Sequence, residues 1–258
     1  MSNLTRKVFK YLNNPRLLKT RFAMNSQVYE SSPFYSQKGQ DEWLLMDVFD
    51  YQNNGLKRNG FFVDLACADG IEINNTLFVE KHLNWKGILI EPNPYYISSI
   101  KENRTNNFVS ACVTSEADKI IKFRVDNGML GGIIGDDYDN NTSVRKQQLI
   151  NAEIIEIRTR TLTEILTSNN APNQMDYLSL DIEGAEYEAL KNFDFEQFKF
   201  RAMTIERPTF ELDLLLDFAG YIQVKRHLFD TFYIHKDFIN ETVFQEKLHF
   251  MMTPRKNW

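Results

Sequence analysis

Four short apolar runs in this chain each end on a carboxylate: FFVD at Asp64, ILIE at Glu91, LSLD at Asp181 and MTIE at Glu206. Runs of this kind, separated by helical patterns, mark parallel strands buried on both faces of a sheet. The separating segments comply. NNTLFVEKHL, with Asn75 expected as N-cap, TLTEIL, EGAEYEALKNF and FELDLLLDFAG, closed by Gly220, all place apolar residues at helical spacing. Strand and helix alternating in this way predict an open α/β sheet of βαβ units. YIQVKRHLF and TFYIH add an antiparallel pair, and NFVSACVTS reads as one further strand, Asn107 to Ser115. IIKFRV and EIIEIRT alternate in the period of half-exposed strands. Between them lies a loop rich in Gly, Asp and Asn, from Asn127 to Asn141, of a length that goes with lids and binding loops.

Parallel strands deliver their C-terminal ends to one edge, where open α/β sheets bind ligands. The four carboxylates are therefore expected to crowd one crevice. Unpaired, they would raise each other's pKa, so such a cluster implies a cation, a set of hydroxyls or catalysis. A pyrophosphate fits poorly, because the first strand runs into Ala66-Cys67-Ala68-Asp69-Gly70, with a single glycine where a dinucleotide turn needs three. S-adenosylmethionine, with two ribose hydroxyls and positive charge, suits the acids better. Glu91, 21 residues after Gly70, stands where a ribose-binding acid is found. Glu186 and Glu188 are expected only to complement a helix N-terminus. Arg207 reads as a partner of the nearby acids or as a binder of an anionic substrate. His82, His227, His235 and His249 lack metal-ligand spacing, and Cys67 and Cys112 read as reduced, buried thiols.

A net charge of −5 and a pI near 5.5 give no general attraction to nucleic acid. No stretch approaches a membrane span or a signal peptide, so the expected location is cytoplasmic. The exception to the acidic balance is the beginning of the chain, where Arg6, Lys7, Lys10, Arg16, Lys19 and Arg21 all precede the first acid, Glu30. Residues 1–35 are thus expected to form a basic helical arm and residues 36–258 the main domain. An arm of this composition suits an anionic membrane surface, an acidic partner, or packing against its own domain. Oligomeric state has no signature in the sequence.

Taken in order over Ser36 to Glu206, the segments SQKGQDEWLL, GFFVDLACADG, NNTLFVEKHLNWKGILIEPNP, TLTEIL and DYLSLDIEGAEYEALKNFDF resemble the FkbM-type family of S-adenosylmethionine-dependent methyltransferases. The resemblance implies the class I methyltransferase fold, Rossmann-like, with a seven-stranded, mostly parallel sheet, helices on both faces and an antiparallel C-terminal strand pair. It implies methyl transfer to a hydroxyl of a sugar, a glycan or another hydroxylated metabolite. Carried onto this chain, Asp64, Ala66, Asp69 and Gly70 form the loop at the methionine end of the cofactor. Glu91 binds the ribose, and Asn93, Cys112 and Val113 lie by the adenine. Asp181, Glu183 and Glu206 face the transferring methyl as the catalytic set, with Asp181 as base. Asp181 and Glu206 are also the oxygen ligands for a divalent metal such as Mg²⁺, where one is used.

The chain departs from the family pattern in two places. Ala66 stands where a glycine is usual and Ala68 where an asparagine is expected, and Glu206-Arg207-Pro208 replaces Glu-His-Asn. These departures keep a second possibility open, a catalytically silent scaffold that binds a glycan or a protein partner. EPNPYY resembles the Asn-Pro-Pro-Tyr motif of amino-group methyltransferases, but it follows the second strand. DIEG occupies the fourth-strand position, which argues against nucleobase methylation.

Overall fold

A computed structural model of the chain describes residues 34–49 and 57–239. Of the basic arm only Phe34 and Tyr35 fall within the described residues, so its expected helix lies outside them. In chain order the strands are β1 (Phe61–Leu65), β2 (Lys86–Ile90), β3 (Asn107–Val109), β4 (Cys112–Val113), β5 (Ile120–Arg124), β6 (Gly132–Ile133), β7 (Ile154–Arg160), β8 (Gln174–Leu180), β9 (Lys199–Glu206), β10 (Tyr221–His227) and β11 (Asp230–His235). The α-helices are α1 (Gln40–Trp43), α2 (Leu77–Leu83), α3 (Ile97–Asn103), α4 (Lys146–Leu149), α5 (Leu162–Ser168), α6 (Glu186–Leu190) and α7 (Phe210–Phe218).

Seven strands make the main sheet in the order β10-β11-β9-β8-β1-β2-β3. Pairing is parallel from β3 through β9, and β11 runs antiparallel to both β9 and β10. This is the expected class I methyltransferase arrangement. The chain leaves β1 toward β2 and β3, then returns to β8 and β9 on the other side. The order therefore reverses between β1 and β8, and the crevice for a ligand opens at that switch point.

Both faces of the sheet are covered, which is why its strands read as continuous apolar runs. Along β8, Leu178 and Leu180 join the cluster containing Leu162, Ile165, Leu190 and Leu212, while Tyr177 joins the opposite one with Trp43, Phe78 and Trp85. Local signals set the helix ends. Thr161 and Glu164 form a reciprocal capping box at the start of α5, and the Thr209 hydroxyl caps α7. Gly220, at φ 89, takes the left-handed position after α7, where an added Cβ would sit 3.0 Å from His235 and Lys236.

Two expectations change. NFVSACVTS is not one strand: it breaks after Val109, and Cys112–Val113 pairs with β7 in a separate sheet of order β4-β7-β5-β6. Asn75 is not an N-cap. Thr76 flanks α2 without a side-chain cap, and the Asn75 amide instead donates to Ser179 Oγ at 3.0 Å. Among the described residues no helix is long and apolar enough to cross a membrane.

Candidate active site

The turn leaving β1 is wound tightly. Ala66 and Ala68 have φ of 67° and 47°, and Gly70 follows at 79°. The left-handed region suits glycine and, less well, asparagine, so the two alanines occupy the positions where those residues are cheaper. Hydrogen bonds hold the shape. Ala66 donates its N–H to Ile90 O at 2.9 Å, and Asp69 Oδ1 accepts from the backbone of Ile71 and Glu72 at 2.8 and 2.9 Å. Beneath the turn, the fully buried Arg104 side chain donates to Gly70 O and Asn74 Oδ1, each at 3.0 Å, to Thr76 Oγ1 at 2.9 Å and to Glu80 at 2.7 Å. Asp64 belongs to this buried layer, accepting from Thr76 Oγ1 at 2.7 Å and Asn74 Nδ2 at 2.9 Å. Burial pushes its pKa up against the opposing pull of Arg104.

Glu91, only 5% exposed, ends the next strand beside this turn. Its two oxygens accept the N–H groups of Ala68 at 3.0 Å and Asn93 at 2.8 Å, so one carboxylate joins the two loops. Burial raises its pKa to about 7 in spite of those bonds. Each oxygen keeps a further lone pair for a hydroxyl donor. Asn93 has less to offer, since its amide donates to Val125 O at 3.1 Å and its carbonyl accepts from Tyr95 N–H at 3.1 Å. Cys112 and Val113 are buried, and the Cys112 thiol is pushed up to about 12 by burial and by the charge of Glu91.

The four strand-end carboxylates do not share one crevice as expected. Asp64 pairs in register with Ser179, two residues short of Asp181, and its Oδ2 accepts from Asn74 and Thr76. The acids that do meet are Asp181, Glu183 and Glu206, with one carboxylate oxygen of each within 4.8 Å of the others. The Asp181 residue is exposed, although protein atoms crowd its carboxyl. Desolvation, the charge of Glu206 and a carboxyl–carboxylate hydrogen bond to Glu206 hold its pKa far above the usual range. Glu183 is raised to about 8, chiefly by burial and by Glu206, against the lowering influence of Arg207. Arg207 is the partner of these acids: Nη2 lies 2.9 Å from Glu206, 3.5 Å from Glu183 and 2.5 Å from Asp139.

Sequence reasoning missed several members of this site. Asp139 sits in the long Gly-Asp-Asn loop, which is ordered by β6 and by donation from Asp139 N–H to Glu183 O at 3.1 Å. Glu186 stands in the first turn of α6, as expected, but does more than complement the helix end. It is buried, and its Oε1 accepts the N–H groups of Ile182 and Gly184 at 3.0 and 3.2 Å, which folds the DIEG turn into shape. In that turn Glu183 has φ 58 and Gly184 φ 92, and Arg207 beyond β9 has φ 41. Left-handed non-glycine residues clustered this way mark a site whose geometry is held by its surroundings. Asp230 pairs in register with Glu206 and accepts from Gln40 Nε2 at 3.1 Å.

Residues 47–223 match the family described as Methyltransferase FkbM domain. A search of curated proteins found no match. Among solved structures the chain is similar to the methyltransferase FkbM of Methylobacillus flagellatus KT, with 13% identity, TM-score 0.42, and coverage of 90% of this chain and 58% of that one. It is similar to the precorrin-6y C5,15-methyltransferase of Geobacter metallireducens GS-15 at 11% identity and TM-score 0.38, over 75% and 84% of the two chains. A SAM-dependent methyltransferase of Aquifex aeolicus shares 12% identity at TM-score 0.33, over 91% and 99%.

Proposed function

Because the chain belongs to the FkbM family of methyltransferases, we propose that it moves a methyl group from S-adenosylmethionine to a hydroxyl of a sugar, glycan or other hydroxylated metabolite. When bound, S-adenosylmethionine supplies an electrophilic methyl on a sulfonium centre.

The donor chemistry at the switch point fits that molecule. Glu91, with a lone pair to spare on each oxygen, takes the ribose hydroxyls, and the Ala66–Gly70 turn bounds the methionine end together with Asp69. Asn75 Oδ1, buried without a hydrogen-bond partner beside Ser179, is an acceptor of the kind an ammonium group seeks. Asn93 contributes its position, since its side chain is engaged. Cys112 and Val113 line the adenine side.

The observation that carries the reading is the Asp181–Glu183–Glu206 cluster. A sugar hydroxyl is a very weak acid, so its proton needs a receiver in the transition state. Asp181 is a stronger base than an ordinary carboxylate because desolvation by the protein atoms crowded round its carboxyl and the charge of Glu206 raise its pKa. In its ionised form Asp181 would accept the proton released by the acceptor hydroxyl as that oxygen is methylated. Glu206, hydrogen-bonded to it, keeps the carboxyl oriented, and Arg207 restrains Glu206 and Glu183. Bringing oxygen, methyl and sulfur into line supplies much of the remaining acceleration.

A divalent cation is the second reading. Three carboxylate oxygens within 4.8 Å suit a hard ion such as Mg²⁺. Arg207 already supplies a positive charge to Glu183 and Glu206, and this favours the metal-free form.

Calorimetric titration with S-adenosylmethionine and its demethylated product, with and without Mg²⁺, tests both readings. Micromolar binding that Glu91→Ala abolishes supports the enzyme and justifies an acceptor screen. No binding of either ligand under any condition sinks it and leaves the silent scaffold, with Ala66 closing the pocket. Binding that requires Mg²⁺ moves Asp181 and Glu206 into the ligand role.

A further inference from the structure

The end of the long Gly-Asp-Asn loop lies across the DIEG turn. β6 fastens Gly132 and Ile133 to β5, and Ile133 is buried. Beyond β6 the chain crosses the turn at Gly184, where an added Cβ would lie 3.0 Å from Asp139 N and Oδ1 and 3.4 Å from Tyr138 Cα. The absence of a side chain at Gly184 is what lets the two backbones approach so closely. A Cβ at Gly132 would meet Asn140 Nδ2 at 3.0 Å and Glu183 Cβ at 3.3 Å, so Asn140 and Glu183 flank the same point. Residues 138–140 thus wall in Glu183, which is 8% exposed, whereas Asp181 in the same turn is exposed.

This crossing segment is a compact unit with few attachments. Asp136 accepts from Asn141 through its backbone carbonyl and from Thr142 through its carboxylate, which closes residues 136–142 on themselves. Between the unit and the end of β6 the backbone bonds are long: Gly135 N–H to Asn140 O and Tyr138 N–H to Gly135 O are both 3.4 Å. Tyr138 rests half-buried on the cluster of Cys112, Ile133 and Ala185. Asp139 makes the polar attachments to the site. Its N–H donates to Glu183 O at 3.1 Å, and its Oδ2 lies 2.5 Å from Arg207 Nη2. The second contact is one of charge, since Oδ2 has no hydrogen bond of proper geometry. Asn140 adds a cost to the closed position. It is fully buried, donates to Leu130 O at 3.3 Å and leaves Oδ1 without a partner. A buried acceptor with no donor loses free energy that contact with water restores. Asp137, two residues before Asp139, is exposed and has no hydrogen bond or ion pair among the described residues, so the attachment is particular to Asp139.

We propose that residues 136–142 are a strap that closes over Glu183, pivots at Gly135 and is latched by Asp139 on Arg207. Release of the latch uncovers Glu183. Opening is a property of the fold. Its use, to admit the acceptor to the side of the cleft that Glu183 forms, rests on the methyl-transfer reading.

Carboxyl footprinting of the full chain, with a carbodiimide and glycine ethyl ester read by mass spectrometry, tests the strap without cofactor or acceptor. In the wild type Glu183 should react at least about tenfold more slowly than Asp137. Asp139→Asn should raise the Glu183 rate by about tenfold, as expected for loss of one charged contact, and Arg207→Gln should do the same. Asp137→Asn should leave the rate unchanged. Glu186, buried within the turn itself, should stay slow in every variant. Amide exchange at residues 138–141 should accelerate alongside Glu183 in the two latch variants, with an unchanged circular dichroism spectrum. A fast Glu183 in the wild type, or a Glu183 rate that neither latch variant moves, would overturn the strap. So would a parallel rise at Glu186, because the turn itself would then be unfolding. Calorimetry with S-adenosylmethionine on the wild type keeps the two readings apart: no binding there removes the enzyme reading and leaves the footprinting result to decide the strap.

Discussion

Replacing Ala66 by glycine should stabilise this protein. At φ 67, Ala66 holds its Cβ against the following carbonyl oxygen, a conformation that costs roughly 1–2 kcal/mol for an L-residue. Glycine removes that cost but returns about 0.4–1 kcal/mol through the greater freedom of its unfolded chain. The turn keeps its main hydrogen bond, because the Ala66 N–H to Ile90 O contact is a backbone one. The net gain is about 0.5–1 kcal/mol, or roughly 1–3 °C in Tm for a chain of this size. Gly70→Ala is the matched control with opposite sign. Gly70 is at φ 79, and a Cβ there would lie 3.0 Å from Arg104 Cγ, on a side chain that four hydrogen bonds hold in place. A loss of about 2 kcal/mol or more is expected from strain and overlap together. Thermal and urea unfolding measure both variants. A lower Tm for Ala66→Gly would mean that packing of the Ala66 methyl outweighs its backbone strain, and the account of this turn would be wrong.

Glu91 should make cofactor binding depend on pH. With a pKa near 7, its ionised fraction and hence its grip on ribose hydroxyls should rise about tenfold from pH 6 to pH 8, and Glu91→Gln should flatten that slope in calorimetry. Stability runs the other way. A carboxyl raised from 4.5 to about 7 favours the fold fully below pH 4.5 and loses that contribution as pH climbs through 7, so urea midpoints should fall across this window. Arg207→Gln should push the Glu183 titration, near 8 in the intact site, further up; carboxyl carbon NMR would register it, and an unmoved titration would refute the assigned contact. The same variant should lose more stability at pH 9 than at pH 6, because the unfolded chain is already ionised at both. Gly184→Ala should cost about 1–3 kcal/mol, since Gly184 is at φ 92 and its new Cβ would lie 3.0 Å from Asp139 N and Oδ1.

What the sequence made legible follows from the range of each signal. β1, β8 and β9 are buried on both faces, so their apolar runs needed no tertiary knowledge, and the Thr161–Glu164 box announces α5 within four residues. The carboxylate cluster was half legible. Asp181 and Glu206 end adjacent strands, and period and topology alone bring such ends together. Asp64 misled because an acid near a strand end looks the same whether it faces the cleft or, as here, a buried Arg104 network assembled from residues 74 to 104. Asp139 was hidden for a different reason. In GDDYDNN the acids Asp136, Asp137 and Asp139 are equivalent as text, and the choice among them is made by Glu183 O accepting one particular N–H across 44 positions. Glu186 shows the same limit at short range, since the helix-dipole preference accounts for an acid in a first turn but does not distinguish one facing water from one folded back onto its own turn. The departures at Ala66 and Ala68 were visible as mismatches, and the left-handed φ of both residues gives them a physical meaning. A substitution away from glycine at such a position trades backbone ease for whatever the methyl does in the loop, and the Ala66→Gly measurement weighs those two terms directly.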